Sequence, residues 1–190
     1  MPETLPTVEE MERRTVRFSA ELGDFRQQHA DHSGIPGKVF DWFAPNRVFP
    51  LLAPETYQGR SQAAALKGLP GLVVDLTVCP PGTGPVLHRH PTTTENFLCL
   101  DGTFEIVWGE HGERSLTLRR FDFCSVPPGV FRTFRNTGTA PGWLLVLIQI
   151  PTAEQRDDVD LGQALAEEIT REFGGDMIGK LRAIGFEFVS

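Results

Sequence analysis

Between two turn glycines, Gly82 and Gly102, the chain reads Gly-Thr-Gly-Pro-Val-Leu-His-Arg-His-Pro-Thr-Thr-Thr-Glu-Asn-Phe-Leu-Cys-Leu-Asp-Gly. No other stretch restricts the fold as much. Side chains of a β-strand alternate between its faces, so His88 and His90, two residues apart, share one face. Pro91 to Thr94 then offers a turn, after which Glu95 can return to that face from the next strand. Two imidazoles and one carboxylate form a ligand set for Fe(II), Mn(II), Zn(II), Ni(II) or Co(II). With open positions left over, the set suits Fe(II) and dioxygen best.

The frame around these residues is as informative as the residues themselves. The spacing Gly82-x5-His88-x-His90-x4-Glu95-x6-Gly102 resembles the first motif of the cupin superfamily at each defining position. Downstream, Pro127 to Asn136 resembles the second cupin motif, Gly-x5-Pro-x-Gly-x2-His-x3-Asn. Pro127, Gly129 and Asn136 fall in place, while Phe121 stands at the opening glycine and Arg132 at the histidine that would be the fourth ligand. The resemblance covers about residues 70–150. It implies a mainly β protein, a single antiparallel jelly-roll β-barrel with the metal inside.

The remaining sequence divides into flanks and barrel. Residues 1–37 are polar, read as a partly helical N-terminal extension, and end in the turn-forming run Asp31 to Gly37. His29 and His32 fall there and are expected at the surface. Residues 38–151 read as the barrel, with aromatic segments at Lys38 to Phe43 and Arg47 to Leu52, and a β-branched strand at Leu72 to Cys79. Thr103 to Trp108 and Ser115 to Leu118 flank a Gly109-Glu-His-Gly112 turn as a hairpin, with His111 at its tip. Gly142 to Ile150 is apolar throughout, which suggests a strand buried on both faces. Residues 152–190 form a C-terminal helical extension packed on the barrel, with one helix over Asp158 to Phe173 and a second over Asp176 to Ile184.

Composition excludes several alternatives. A net charge of -7 and the absence of clustered Lys and Arg argue against nucleic acid. No apolar run reaches the roughly 18–20 residues that span a bilayer, and the N-terminus lacks a charged-then-apolar signal pattern, so no membrane and a cytoplasmic location are expected. The three cysteines, Cys79, Cys99 and Cys124, have no CxxC spacing and read as reduced thiols. The apolar strand before Pro151 and the aromatic segments before residue 70 suggest a homodimer.

Parity assembles the expected site. If His88, His90 and Glu95 face inward as metal ligands, Val86, Phe97 and Cys99 share their side, and Arg132 brings Phe134 with it. Trp42, Trp108 and Trp143 are further candidates for the pocket wall. Arg132 cannot ligate a metal, because a guanidinium has no free lone pair. It either swings aside while His88, His90 and Glu95 hold the metal, pairs with Glu95 in a metal-free barrel, or binds the anionic group of a substrate beside the metal, with Phe97, Phe134 and Cys99 as further substrate contacts. The cofactor expected is a divalent transition metal, Fe(II) first and Mn, Zn or Ni next. The ligand expected is a small, anionic organic molecule. Resemblance to cupin enzymes implies a non-haem dioxygenase-like activity. The alternatives are a metal-dependent isomerase, decarboxylase or lyase, and a metal-free or non-catalytic binding protein. No residue outside the ligand set stands out as a general base.

Overall fold

The computed structural model describes residues 5–19, 22–151 and 156–190. In chain order the elements are α1 (Val8–Glu12), α2 (Phe25–His32), α3 (Gly37–Phe40), β1 (Arg47–Pro54), β2 (Leu66–Gly68), β3 (Leu72–Cys79), β4 (His88–Arg89) and β5 (Thr94–Asp101). Then follow β6 (Thr103–Trp108), β7 (Arg114–Arg119), β8 (Phe123–Val126), β9 (Phe131–Asn136), β10 (Gly142–Gln149), β11 (Val159–Gly162), α4 (Gln163–Phe173), α5 (Asp176–Ala183) and β12 (Phe186–Val189). Two six-stranded sheets, ordered β2-β1-β3-β10-β5-β8 and β12-β11-β4-β9-β6-β7, make the two walls of a jelly-roll barrel. The mainly β expectation holds.

Period-two burial builds the walls. In β3 the buried positions are Val73, Asp75, Thr77 and Cys79, and in β10 they are Gly142, Leu144, Val146 and Ile148. Strand β10 is thus buried on one face and half-buried on the other, a correction to the two-faced burial expected from its composition. The inward residues form an apolar core between the sheets, centred on Phe97, Phe104, Ile106, Phe134 and Leu144. Gly102, at φ 93, links β5 to β6 where an added Cβ would lie 3.0 Å from the Gly142 Cα. Phe121 holds the same left-handed region at φ 73, the only non-glycine to do so among the described residues. Its amide still donates to the Cys99 carbonyl at 2.7 Å, so the turn survives at a strain of about 1–2 kcal/mol.

The flanks are more deeply built in than their sequence suggested. Val159 to Leu161 forms a strand instead of the start of a helix, because its apolar residues are spaced by two. Gly162 is the N-cap, and the helix runs only from Gln163 to Phe173. Strand β12, which was not anticipated, pairs in parallel with β11, and α4 and α5 supply the crossover that parallel neighbours need. Strand β11 in turn meets β4 through Asp160 and Arg89, so the C-terminal segment extends a barrel wall instead of resting on it. At the other end, Lys38 to Phe43 is not a strand: Pro36 precedes helix α3, and Val39, Phe40 and Phe43 bury one helical face. Helices α2 to α5 and strands β11 and β12 share a second core around Phe40, Leu161, Ile169 and Leu181. His29 is buried in it, contrary to the surface placement expected, with Nδ1 3.1 Å from Ser33 Oγ and Nε2 3.0 Å from the Arg60 carbonyl.

Candidate metal centre and its cavity

The histidines and the glutamate come from opposite walls. His88 lies in β4 directly across from Arg132 in β9, and His90 follows two residues later. Pro91 to Thr93 then carries the chain over to the other sheet, where Glu95 enters β5 opposite Ile148 and Val126. Asp158 pins this crossing. Its carboxylate accepts from the Thr92 amide (2.6 Å), the Thr92 hydroxyl (2.7 Å), the Thr93 amide (3.0 Å) and the Thr93 hydroxyl (2.7 Å). Burial alone would raise its carboxyl, but His90 first and Thr92 next outweigh it and hold the group below the usual range.

Hydrogen bonding fixes both imidazole tautomers. His88 Nδ1 is 2.8 Å from the Val86 carbonyl, which can only accept, so Nδ1 carries the proton. His90 Nδ1 is 3.0 Å from Asp158 Oδ1 and donates to it. Both Nε2 lone pairs are therefore free, and each lies 3.8 Å from Glu95 Oε2. His90 Nε2 is fully buried with no partner among the described residues. Burial first, and the Arg132 charge second, lower the His90 pKa to about 4, so the ring is neutral at pH 7. Ligand atoms about 2.1 Å from a shared ion sit at most about 4.2 Å apart, a limit that both histidine–Glu95 separations meet, and the ligand atoms of all three residues lie within 4.8 Å of one another. Asp158 then supplies the carboxylate that orients a ligating histidine.

Of the contacts expected for Arg132, the structure shows the pairing with Glu95. Arg132 is wholly buried, and its Nε donates to the same Glu95 oxygen at 3.0 Å while Nη1 donates to the Val130 carbonyl at 3.0 Å. Burial alone would raise the Glu95 carboxyl, but Arg132 and then the histidines outweigh it and hold Glu95 well below the usual carboxylate range. Nη2 of Arg132 has no partner among the described residues. A second grouping, His90 with Asp157 and Asp158, also brings ligand atoms together. Its oxygens already accept from Arg60, Thr92 and Thr93, which leaves His88, His90 and Glu95 as the better donor set.

His88 and Glu95 open onto a cavity of about 60 Å³. One water needs about 10–15 Å³, so the space takes several waters or a small organic molecule. Its wall joins the two cores: Phe134, Val146 and Ile148 from the barrel, Phe43, Leu161 and Phe186 from the flanks. Phe134 and Val86 thus line the cavity as parity suggested. Phe97 and Cys99 are packed in the barrel core and are not among its lining residues, nor is Arg132, whose Nε and Nη1 are already engaged. None of the three tryptophans lines it; Trp42 packs on Phe173 and Trp143 on Phe18.

The polar remainder of the lining was missed in the sequence. Arg60 pairs with Asp157 at 2.6 Å, and Ser61 donates to Asp75 at 2.8 Å. Asp75 had a visible signal, an acidic residue at a buried parity position in an apolar strand. Asp158, far along the chain, had none.

Residues 75–148 match the sequence model of the cupin domain. No curated protein matches the chain. Among solved structures, a Thermus thermophilus protein is 24% identical over 42% of this chain and 73% of its own, with a TM-score of 0.39. The Cnp3 cupin domain of Schizosaccharomyces pombe is 16% identical over 57% and 67%, with a TM-score of 0.45. A predicted oxalate decarboxylase from Thermotoga maritima is 19% identical over 55% and 80%, also with a TM-score of 0.45.

Proposed function

We propose that this protein, a member of the cupin superfamily through residues 75–148, binds a divalent metal with His88, His90 and Glu95 and acts on a small organic molecule held in the adjoining cavity. One observation carries the reading: two Nε2 lone pairs, their tautomers set by Val86 and Asp158, converge on one ionised carboxylate. When bound, an ion such as Fe(II) supplies positions for substrate and dioxygen, and Mn, Zn or Ni supplies Lewis acidity. The protein's own part is to keep the His90 ring neutral, Glu95 ionised and the approach walled by apolar side chains. We favour dioxygenase-like chemistry for the ligand set alone. Proton-transfer chemistry, as in an isomerase, decarboxylase or lyase, draws support from Asp75, a second carboxyl in the same cavity.

Arg132 favours a different outcome, a metal-free binding protein, because its Nε already occupies Glu95 Oε2. The two readings separate by metal analysis of the purified chain beside Arg132→His. Stoichiometric transition metal, held more tightly by Arg132→His, is expected; its absence from both proteins overturns the metal reading. With iron bound, oxygen uptake over a panel of phenols and carboxylic acids selects the dioxygenase, and a flat trace across that panel counts against it. No helix among the described residues is long and apolar enough to cross a membrane. We place the protein in the cytoplasm as a homodimer, and light scattering at the monomer mass of 21.1 kDa would contradict the dimer.

A further inference from the structure

Asp75 shares the buried face of β3 with Val73 and Thr77, and lines the same cavity as His88 and Glu95. Across the sheet its row continues to Val146 and Phe97, whereas the row of Glu95 runs through Ile148 to Val73. Two strand spacings of about 4.8 Å and two residues at about 3.4 Å each put the two Cα atoms about 12 Å apart. Both side chains line the space between, so a small organic molecule touching one carboxyl is within reach of the other.

The surroundings of Asp75 leave it uncommitted. Ser61 Oγ donates to its oxygens at 2.8 and 2.9 Å, and no ion pair to it is present among the described residues. Arg60, the cation on that side, directs its amide, Nε and Nη2 at Asp157. Asp157 and Glu95 add negative charge, and the buried Tyr57 hydroxyl faces the same group of acids. Burial first, then these carboxylates, raise Asp75 to about 7 against the opposing effects of Arg60 and Ser61.

We propose that Asp75, oriented by Ser61, is the acid–base group of this cavity, exchanging a proton with a hydroxyl or carboxyl of a small ligand that also reaches His88 and Glu95. The proposal rests on the reading of this cavity as the ligand site. In the acid direction the Asp75 O–H bond breaks as a ligand O–H bond forms, and the bonding pair stays on the Asp75 oxygen. The reverse step restores it, so no oxidant or reductant takes part. A group that titrates close to the working pH is the one best able to serve both directions.

Carboxyl-carbon NMR of the full chain, labelled at aspartate, tests this with Zn(II) and phenol as separate probes. One carboxyl signal is expected to titrate near pH 7 and to be missing from Asp75→Asn. In Ser61→Ala it moves to higher pH, because the hydrogen bond that favours the carboxylate is gone. Zn(II) across the cavity lowers the same titration by about one pH unit. Phenol, a minimal hydroxyl ligand, shifts the signal directly. An Asp75 that titrates in the ordinary carboxylate range, or one that responds to neither probe, overturns the proposal. A response to phenol with no Zn(II) bound keeps the role of Asp75 and overturns only the metal reading.

Discussion

Glu95 and Asp75 are both carboxyls on inward faces of one sheet, lining one cavity, and their environments drive them in opposite directions. Glu95 is met by Arg132 at 3.0 Å and by two imidazole nitrogens at 3.8 Å, and stays ionised. Asp75 has one hydroxyl, and its nearby guanidinium is already taken by Asp157, so burial wins and it holds its proton near neutrality. Residue type therefore does not assign the roles. A cation in contact makes one carboxyl an anionic ligand, and the lack of one makes the other a proton carrier.

The largest break in this comparison comes from Glu95→Gln. It leaves Arg132 buried without a counter-charge, which costs about 3–5 kcal/mol in urea unfolding. A loss below about 1 kcal/mol would mean that the pair is not formed in solution. Asp75→Asn is expected to act with the opposite sign and only at higher pH. The folded-state value of Asp75, about 7, lies above its unfolded value of 3.8, so the folded protein binds more protons between them. Stability from this group therefore falls as pH rises from about 4 to 7, and the full cost applies above 7. Asp75→Asn should match wild type near pH 4 and exceed it at pH 8 by on the order of a few kcal/mol, read by thermal unfolding across pH. A difference independent of pH would place Asp75 outside the comparison. Asp158→Asn is the mildest change, since it loosens the hold on His90 without removing a ligand. Metal affinity should fall by about 10–100-fold in a binding titration, with Asp75 still titrating as before.

How much was readable in advance follows from sequence distance. His88, His90 and Glu95 lie within one turn-and-strand unit, where parity and spacing specify geometry, and the same holds for the hairpin of β6 and β7. Phe134 was placed on the cavity wall by the same rule. Strands β11 and β12 were missed because they are short and pair only after a two-helix crossover, a contact that no local pattern encodes. Asp158 was missed for the same reason: it meets His90 across 68 residues. Arg132 was expected beside a ligand, but its preference for Glu95 depends on burial that spacing does not reveal. Phe121 shows the reverse case, a left-handed turn conformation held by a residue other than the glycine that suits it.

The division between the two carboxyls is tested most directly by calorimetric titration of Zn(II) into the full chain, Glu95→Gln and Asp75→Asn at about pH 5.5. There Asp75 is largely protonated, and asparagine is its near equivalent. One ion per chain is expected in wild type and in Asp75→Asn with affinities within about threefold, and at least about 100-fold weaker binding in Glu95→Gln. Equal binding by all three proteins, or loss in Asp75→Asn as severe as in Glu95→Gln, would contradict the assignment of metal to one carboxyl and proton to the other.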